Sequence, residues 1–278
     1  MHAADPVAAV PRDVLARLGP SPRELGRLGS SRVLEGNGLV LKAGPPDRAA
    51  REAFVLGELV DTLPLRLPPL LEAGEGWLLI GAVDVELADP AAALSDLAAL
   101  HDALAHEAVL ADRRLRDVAG DELPTLVDRS TALAAEMALP DPLLTLAADP
   151  RPLLAALTGP TTLVHGDAWP GNVLATQGGG RCWIDWEEAG RGHAALDLAN
   201  WLHGSPWVPR SPSPEHDLAV YLAARKTAVD DAAFRRAVDA AVVLLFLLLD
   251  LPGIRISEPA ARREFIDRRA AAARRLLR

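Results

Sequence analysis

The stretch His165-Gly166-Asp167-Ala168-Trp169-Pro170-Gly171-Asn172 decides the reading of this chain. It sets an aspartate and an asparagine five positions apart in a segment too rich in glycine and proline for a regular helix, so a loop is expected. A loop can aim both side chains inward. Thirteen positions after Asn172 stands Asp185, closing the apolar run Cys182-Trp183-Ile184. A carboxylate in that setting is costly unless it has a partner or a metal, and a hard cation with oxygen ligands is the simplest partner.

Thr161 to His165 and Arg181 to Asp185 are short apolar runs around Val173-Leu174 and the Gly178-Gly179-Gly180 turn. They read as paired short strands presenting polar residues at their ends. Further upstream, Arg32-Val33-Leu34-Glu35 and Leu39-Val40-Leu41-Lys42 flank Gly36-Asn37-Gly38, a hairpin signal that leaves Lys42 at the end of a strand. Arg48 to Asp61 lacks proline and spaces Ala53, Leu56, Leu59 and Val60 for a helix, with Glu52 in its first half. Leu70-Leu71-Glu72-Ala73 and Trp77-Leu78-Leu79-Ile80 read as two more strands. Leu94, Leu97, Leu100 and Leu104 then recur at helical spacing behind Asp89-Pro90. Three helices are expected downstream, at Pro214 to Ala228, Asp231 to Asp250 and Ser257 to Arg278.

Phosphoryl transfer needs a carboxylate to orient the acceptor hydroxyl and take its proton, oxygen ligands for Mg²⁺, and a cation on the donor phosphates. Asp167, then Asn172 with Asp185, then Lys42 supply these in order. Lys42 must be held in place, and a carboxylate on the following helix can do so, with Glu52 the first candidate and Glu58 the other.

His165-Gly166-Asp167 through Asn172, then Ile184-Asp185-Trp186-Glu187, closely resemble the catalytic and metal-binding motifs of the aminoglycoside phosphotransferase and choline kinase superfamily, relatives of the protein kinases. Leu39 to Ala43 is similar to that family's strand bearing the phosphate-binding lysine, and Arg51-Glu52-Ala53 to the start of its glutamate-bearing helix. Leu97 to Leu104, with Leu100-His101, resembles the helix that opens the large lobe. Gly190 to Asp197-Leu198-Ala199 resembles the segment whose aspartate buttresses the catalytic loop. The likeness extends over about residues 28 to 205.

The resemblance implies an α+β, bilobal, protein-kinase-like fold with a small β-rich N-lobe and a larger, mainly helical C-lobe. It implies Asp167 as catalytic base or acceptor orienter, Asn172 and Asp185 as magnesium ligands, Lys42 on the donor phosphates, and ATP or GTP in the cleft. Gly29-Ser30-Ser31-Arg32 departs from the glycine-rich phosphate loop of protein kinases and is similar to this family's short serine-containing loops, so Ser30 and Ser31 are candidate phosphate contacts. The base-binding hinge is expected at Gly81, Ala82 or Val83, through backbone groups. Residues 1–27 are expected as a lead-in segment, 28–85 as the N-lobe and 86–278 as the C-lobe.

The 278 residues, half of them hydrophobic, suffice for a sizeable core. A single cysteine, Cys182, and the lack of a leader pattern point to the cytoplasm. The apolar run Ala240 to Leu249 is too short to cross a bilayer and reads as a buried helix. With 29 Lys and Arg against 38 Asp and Glu, the surface repels phosphate backbones and tolerates cations, which disfavours nucleic acid as a partner and admits a cationic acceptor.

Simpler roles compete at several residues. His165 is expected to hydrogen-bond the loop backbone and not to transfer protons. His101, His106 and Glu107 do not share a helix face, so no zinc site is expected. Trp169, Trp201 and Trp207 are candidate walls for an acceptor, whereas Trp183 and Trp186 flank the metal aspartate and read as packing. Glu187 and Glu188 can contact a cationic acceptor or a second metal, with solvated carboxylates the simpler reading. The arginine-rich end, Arg262-Arg263 to Arg278, reads as a solvated helix face.

The reading that results is a small-molecule kinase acting by direct in-line transfer, without a phosphoenzyme, on an aminoglycoside-like antibiotic or amino sugar, and so of interest for antibiotic resistance. Kinases of choline or ethanolamine, fructosamine or homoserine share the motifs. A protein-directed kinase would need a longer segment than Asp185 to Asp197, and a silent nucleotide-binding regulatory module would not need Lys42, Asp167, Asn172 and Asp185 together.

Overall fold

The computed structural model describes residues 5–28, 31–83, 86–105, 107–118, 133–134, 136–157, 159–206, 208–251 and 256–278, with 27 and 28 described by backbone alone. The chain divides into two compact units. The first draws on residues 1–93, 112–116 and 170–189, and the second on 94–111, 117–169 and 190–278.

In the first unit an antiparallel sheet runs in the order β1 (Arg23–Leu28), β2 (Ser31–Gly36), β3 (Leu39–Ala43), β5 (Trp77–Gly81), β4 (Leu70–Gly74). Asn37 and Gly38 link β2 to β3 with φ of 50° and 71°, the paired left-handed conformations that match hairpin twist. Strand alternation buries Leu41 and Ala43 on one face and puts Lys42, paired across to Val33 and Leu78, on the other.

Beneath the buried face lie Val10, Val14 and Leu18, contributed by the Arg12–Arg17 helix and its flanks, against Leu34, Leu41 and Leu79. The stretch expected as a lead-in therefore supplies a core-forming helix and, from Arg23, a strand paired to β2. A Cβ at Gly36 would lie 2.0 Å from the Leu18 carbonyl oxygen, so glycine is what lets the helix end abut the hairpin.

The next helix, Pro46–Glu58, begins two residues before the expected Arg48, because proline suits the first turn of a helix. Ala49, Glu52 and Leu56 share its buried face at i, i+3 and i+7. The strands expected to pair with each other do not. Arg181–Trp183 closes a local hairpin with Val173–Ala175 through the glycine turn, while Thr161–Val164, in the second unit, pairs with Gly190–His193.

The second unit is built around the Asp231–Leu245 helix, packed against Ala195–His203, Arg151–Ala156 and Pro259–Leu276. Asp230 caps it by accepting from the Ala233 amide at 2.9 Å. The helix expected to reach Asp250 is α-helical to Leu245 and continues as a π-helical turn, Phe246–Asp250. The last helix starts at Pro259, with Glu258 accepting from the Ala260 and Ala261 amides. No helix among the described residues is long and apolar enough to cross a membrane.

Candidate active site

Within the first unit, β3 delivers Lys42 to the carboxylate of Glu52, with Nζ 2.5 Å from Oε2. The same ammonium pairs with Asp185 Oδ1. Glu52 is 1% exposed, and its second oxygen accepts from the Trp186 amide at 3.3 Å. One buried carboxylate thus holds the strand lysine and the backbone that follows Asp185. Glu58, the other candidate, pairs with Arg114 instead.

Burial works against the charge on Lys42, but Glu52, Asp185 and Glu187 more than offset it and raise its pKa, so the side chain stays an ammonium. Burial pushes the Glu52 and Glu187 carboxyls up, with Lys42 pulling both back.

Asp185 itself is left-handed, at φ 68° and ψ 55°, a conformation that aspartate tolerates better than most residues. It leads into the turn Trp186–Glu188, anchored by the fully buried Trp183 and Trp186, whose Nε1 donates to the Trp183 carbonyl at 3.1 Å. Asn172 ends the short turn Pro170–Asn172, and its carbonyl accepts from the Ile184 amide at 3.0 Å. The hairpin therefore sets Asn172 beside the residue preceding Asp185.

Carboxylate oxygens of Glu52, Asp185 and Glu187 all lie within 4.8 Å of one another, an all-oxygen set suited to a hard divalent cation. The Pro46–Glu58 helix is clamped to this turn by Arg48, which pairs with Glu187 and Glu188 at 2.9 Å each, and by Arg51, which donates to the Glu187 carbonyl. Neither arginine was singled out in the sequence, where both look like ordinary helix-surface charges.

A cavity of about 150 Å³ opens here, lined among others by Ser31, Val33, Lys42, Glu52 and Asp185. Ser31 is thus at the cavity, while Ser30 lies outside the described residues. At the hinge, the Ala82 amide donates to the Gly38 carbonyl at 2.9 Å, and the Gly81 amide to Pro69. Burial pushes the Cys182 thiol up to about 11, which leaves it unreactive.

In the second unit the loop that carries Asp167 is held by Asp197, 1% exposed. Its two oxygens accept from the amides of His165, at 2.8 Å, and Gly166, at 2.9 Å. His101 Nε2 meets the same carboxylate at 3.1 Å. His165 is fully buried, and its Nδ1 accepts from the Asp167 amide at 3.3 Å. Asp167 is half-buried and accepts from the side-chain amide of Asn200.

Asn200 went unnoticed in the sequence, although a signal existed. It stands three residues after Asp197 in a helix that is otherwise apolar as far as Leu202, so both project from one face. Of the tryptophans considered for an acceptor wall, Trp201 is 1% exposed and donates to Asp217 at 3.3 Å, which makes it a packing residue. Trp169 is half-buried, and Trp207 lies outside the described residues, as does His106.

The family model for the phosphotransferase enzyme family matches residues 30–241. No curated protein matches the sequence. Among solved structures, the chain is similar to a choline/ethanolamine kinase family protein from Mesorhizobium loti, at 19% identity and TM-score 0.61, covering 98% of this chain and 92% of that one. It is similar to the ADP-bound aminoglycoside phosphotransferase APH(2'')-Ib, at 14% identity and TM-score 0.62, covering 94% and 96%. A macrolide 2'-phosphotransferase from Brachybacterium faecium is similar at 20% identity and TM-score 0.58, covering 94% and 96%. At such identities the likeness concerns the fold, which is α+β, bilobal and protein-kinase-like.

Proposed function

Because the chain belongs to the phosphotransferase enzyme family, we propose that it transfers the γ-phosphoryl group of ATP or GTP to a hydroxyl of an aminoglycoside-like antibiotic or amino sugar. It is a phosphotransferase with an alcohol group as acceptor. The observation that carries the reading is the placement of Lys42 between Glu52 and Asp185 at the wall of a cavity.

Asp167 orients the acceptor hydroxyl and receives its proton, while Lys42 meets the donor phosphates with Glu52 fixing its position. Ser31, at the start of β2, contacts phosphate, with Ser30 the other candidate. With the Ala82 amide engaged by Gly38, the base is read at the hinge through backbone carbonyls. Residues 28–85 form the nucleotide-side lobe and 86–278 the lobe that takes the acceptor.

The donor set fits magnesium. Asn172 and Asp185 would hold it, and the Glu52 and Glu187 carboxylates, with oxygens within 4.8 Å of one of Asp185, would add negative field. When bound, the ion neutralises charge on the transferring phosphate. Lys42 stands as the resident cation at Asp185.

An acidic chain, at a net charge of −9, favours a cationic acceptor. The named substrates of similar structures, aminoglycoside, macrolide, choline and ethanolamine, define the compounds to compare. The protein works in the cytoplasm, where nucleotide is supplied, and its single cysteine is in keeping with that compartment.

The test is phosphate transfer from ATP and GTP across aminoglycosides, macrolides, amino sugars, choline and ethanolamine, with Asp167→Ala in parallel. Transfer to an amino sugar or aminoglycoside that Asp167→Ala abolishes is expected. Equal rates in the two proteins sink the mechanism, and transfer to choline alone sinks the acceptor assignment.

A further inference from the structure

The second unit contains a buried chain of hydrogen bonds that begins far from Asp167 in sequence. Asp102 accepts from Arg225 Nε at 2.7 Å and from the Lys226 amide at 2.6 Å. Arg225 Nη1 donates to the Tyr221 hydroxyl oxygen at 2.9 Å. That hydroxyl lies 2.8 Å from His101 Nδ1, and His101 Nε2 lies 3.1 Å from Asp197 Oδ2. Asp197 in turn holds the amides of His165 and Gly166. Tyr221 is the only tyrosine in the chain and is fully buried, as are His101 and Asp197.

The donor and acceptor roles along this chain are forced. A guanidinium only donates, so the Tyr221 oxygen accepts from Arg225. Burial pushes the phenol up, which keeps its proton on the oxygen. That proton needs an acceptor, since an unsatisfied buried donor is costly. Among the described residues, His101 Nδ1 is the acceptor within reach. An imidazole accepting at Nδ1 carries its hydrogen at Nε2, where the Asp197 carboxylate requires a donor. A proton on Nδ1 would strand the Tyr221 hydroxyl hydrogen and, in the neutral ring, turn a lone pair toward Asp197.

We propose that Tyr221 is a positioning residue for phosphoryl transfer, which fixes His101 in its Nε2–H tautomer and thereby holds Asp197 against the backbone of the loop that carries Asp167. The inference rests on Asp167 being the acceptor-side carboxylate. Tyr221 touches none of the reacting atoms. Its effect passes through two side chains to the peptide amides on either side of His165, and so to the aim of Asp167. Arg225, held by Asp102, keeps the phenol from turning round, because the one lone pair it occupies leaves the hydroxyl hydrogen directed at His101.

The experiment uses the full-length protein labelled with ¹⁵N in its histidine rings. Long-range proton–nitrogen spectra are expected to show His101 with bare Nδ1 and protonated Nε2. In Tyr221→Phe that single tautomer is expected to be lost, the His165 and Gly166 amides to exchange about tenfold faster, and kcat to fall about tenfold while KM for the nucleotide holds. A His101 protonated at Nδ1 in the unaltered protein overturns the proposal, and needs no variant that folds. So does Tyr221→Phe with unchanged loop exchange and unchanged kcat. The spectra and the exchange rates require no acceptor. Failure to phosphorylate any compound would therefore count against the functional reading and leave the tautomer result to stand or fall alone.

Discussion

The side-chain amide of Asn200 donates to the carboxylate of Asp167 across 3.1 Å. This contact fixes one oxygen of the carboxylate. Removing it in Asn200→Ala is expected to lower kcat about tenfold with little effect on the melting temperature. Asn200→Asp sets a second carboxylate against the first. Like charge raises the pKa of the pair, so the acidic limb of the rate profile should move to higher pH. A profile identical to that of the unaltered enzyme would show that Asn200 does not tune Asp167.

Glu52 is buried and depends on Lys42 for its charge balance. Lys42→Met strands that carboxylate, and stability should drop by about 3 kcal/mol in urea denaturation. Adding Glu52→Gln should restore most of the loss while transfer activity stays absent. If the double variant is no more stable than the single one, the cost lies elsewhere than in the stranded charge.

The hairpin glycines differ in what a methyl group would meet. At Gly36 it would strike the Leu18 carbonyl, whereas at Gly38 it would meet open space in a left-handed backbone. Gly38→Ala should cost about 1 kcal/mol. Gly36→Ala should cost about 3 kcal/mol, because helix and sheet must separate to admit it. Equal melting temperatures for the two would contradict the close approach.

His203 gives an acid-sensitive contribution to stability. Burial, reinforced by Arg269, Arg275 and Arg210, lowers its pKa to about 4. The unfolded chain binds this proton near the ordinary value of about 6.5 and the folded chain does not. The stabilisation is therefore complete above pH 6.5 and is lost as the pH falls toward 4. His203→Gln should flatten the stability curve across that window, by up to about 3 kcal/mol. A difference between the two proteins that does not vary with pH would rule this out.

Local signals in the sequence translated well. Asn37-Gly38 made its hairpin, and Glu52 on a helix after the Lys42 strand met the lysine. His165 took the structural role expected of it. What could not be read was long-range. Thr161–Val164 is too short and plain an apolar run to specify its partner, so its pairing with Gly190–His193 in place of Arg181–Trp183 depends on the rest of the second unit. Arg23–Leu28, with three charged residues and a glycine, has little strand character of its own and is recruited by pairing to β2. Trp201 was weighed as an acceptor contact because aromatic residues suit ligands, but a polar partner in its own unit, Asp217, takes its indole. The linkage of Tyr221 to His101 spans 120 positions and leaves no trace in spacing.

The chain passes from one compact unit to the other between Trp169 and Pro170. Asp167 and Asn172, a few residues apart in one motif, are consequently rooted in different bodies of structure. The supports of the Lys42, Glu52 and Asp185 cluster, which are Arg48, Arg51 and the Trp183–Trp186 turn, all belong to the first unit, so remodelling the helices of the second unit leaves them in place. Under the proposed function, such a partition lets the choice of substrate drift during evolution while the energy-supplying half of the reaction is inherited intact.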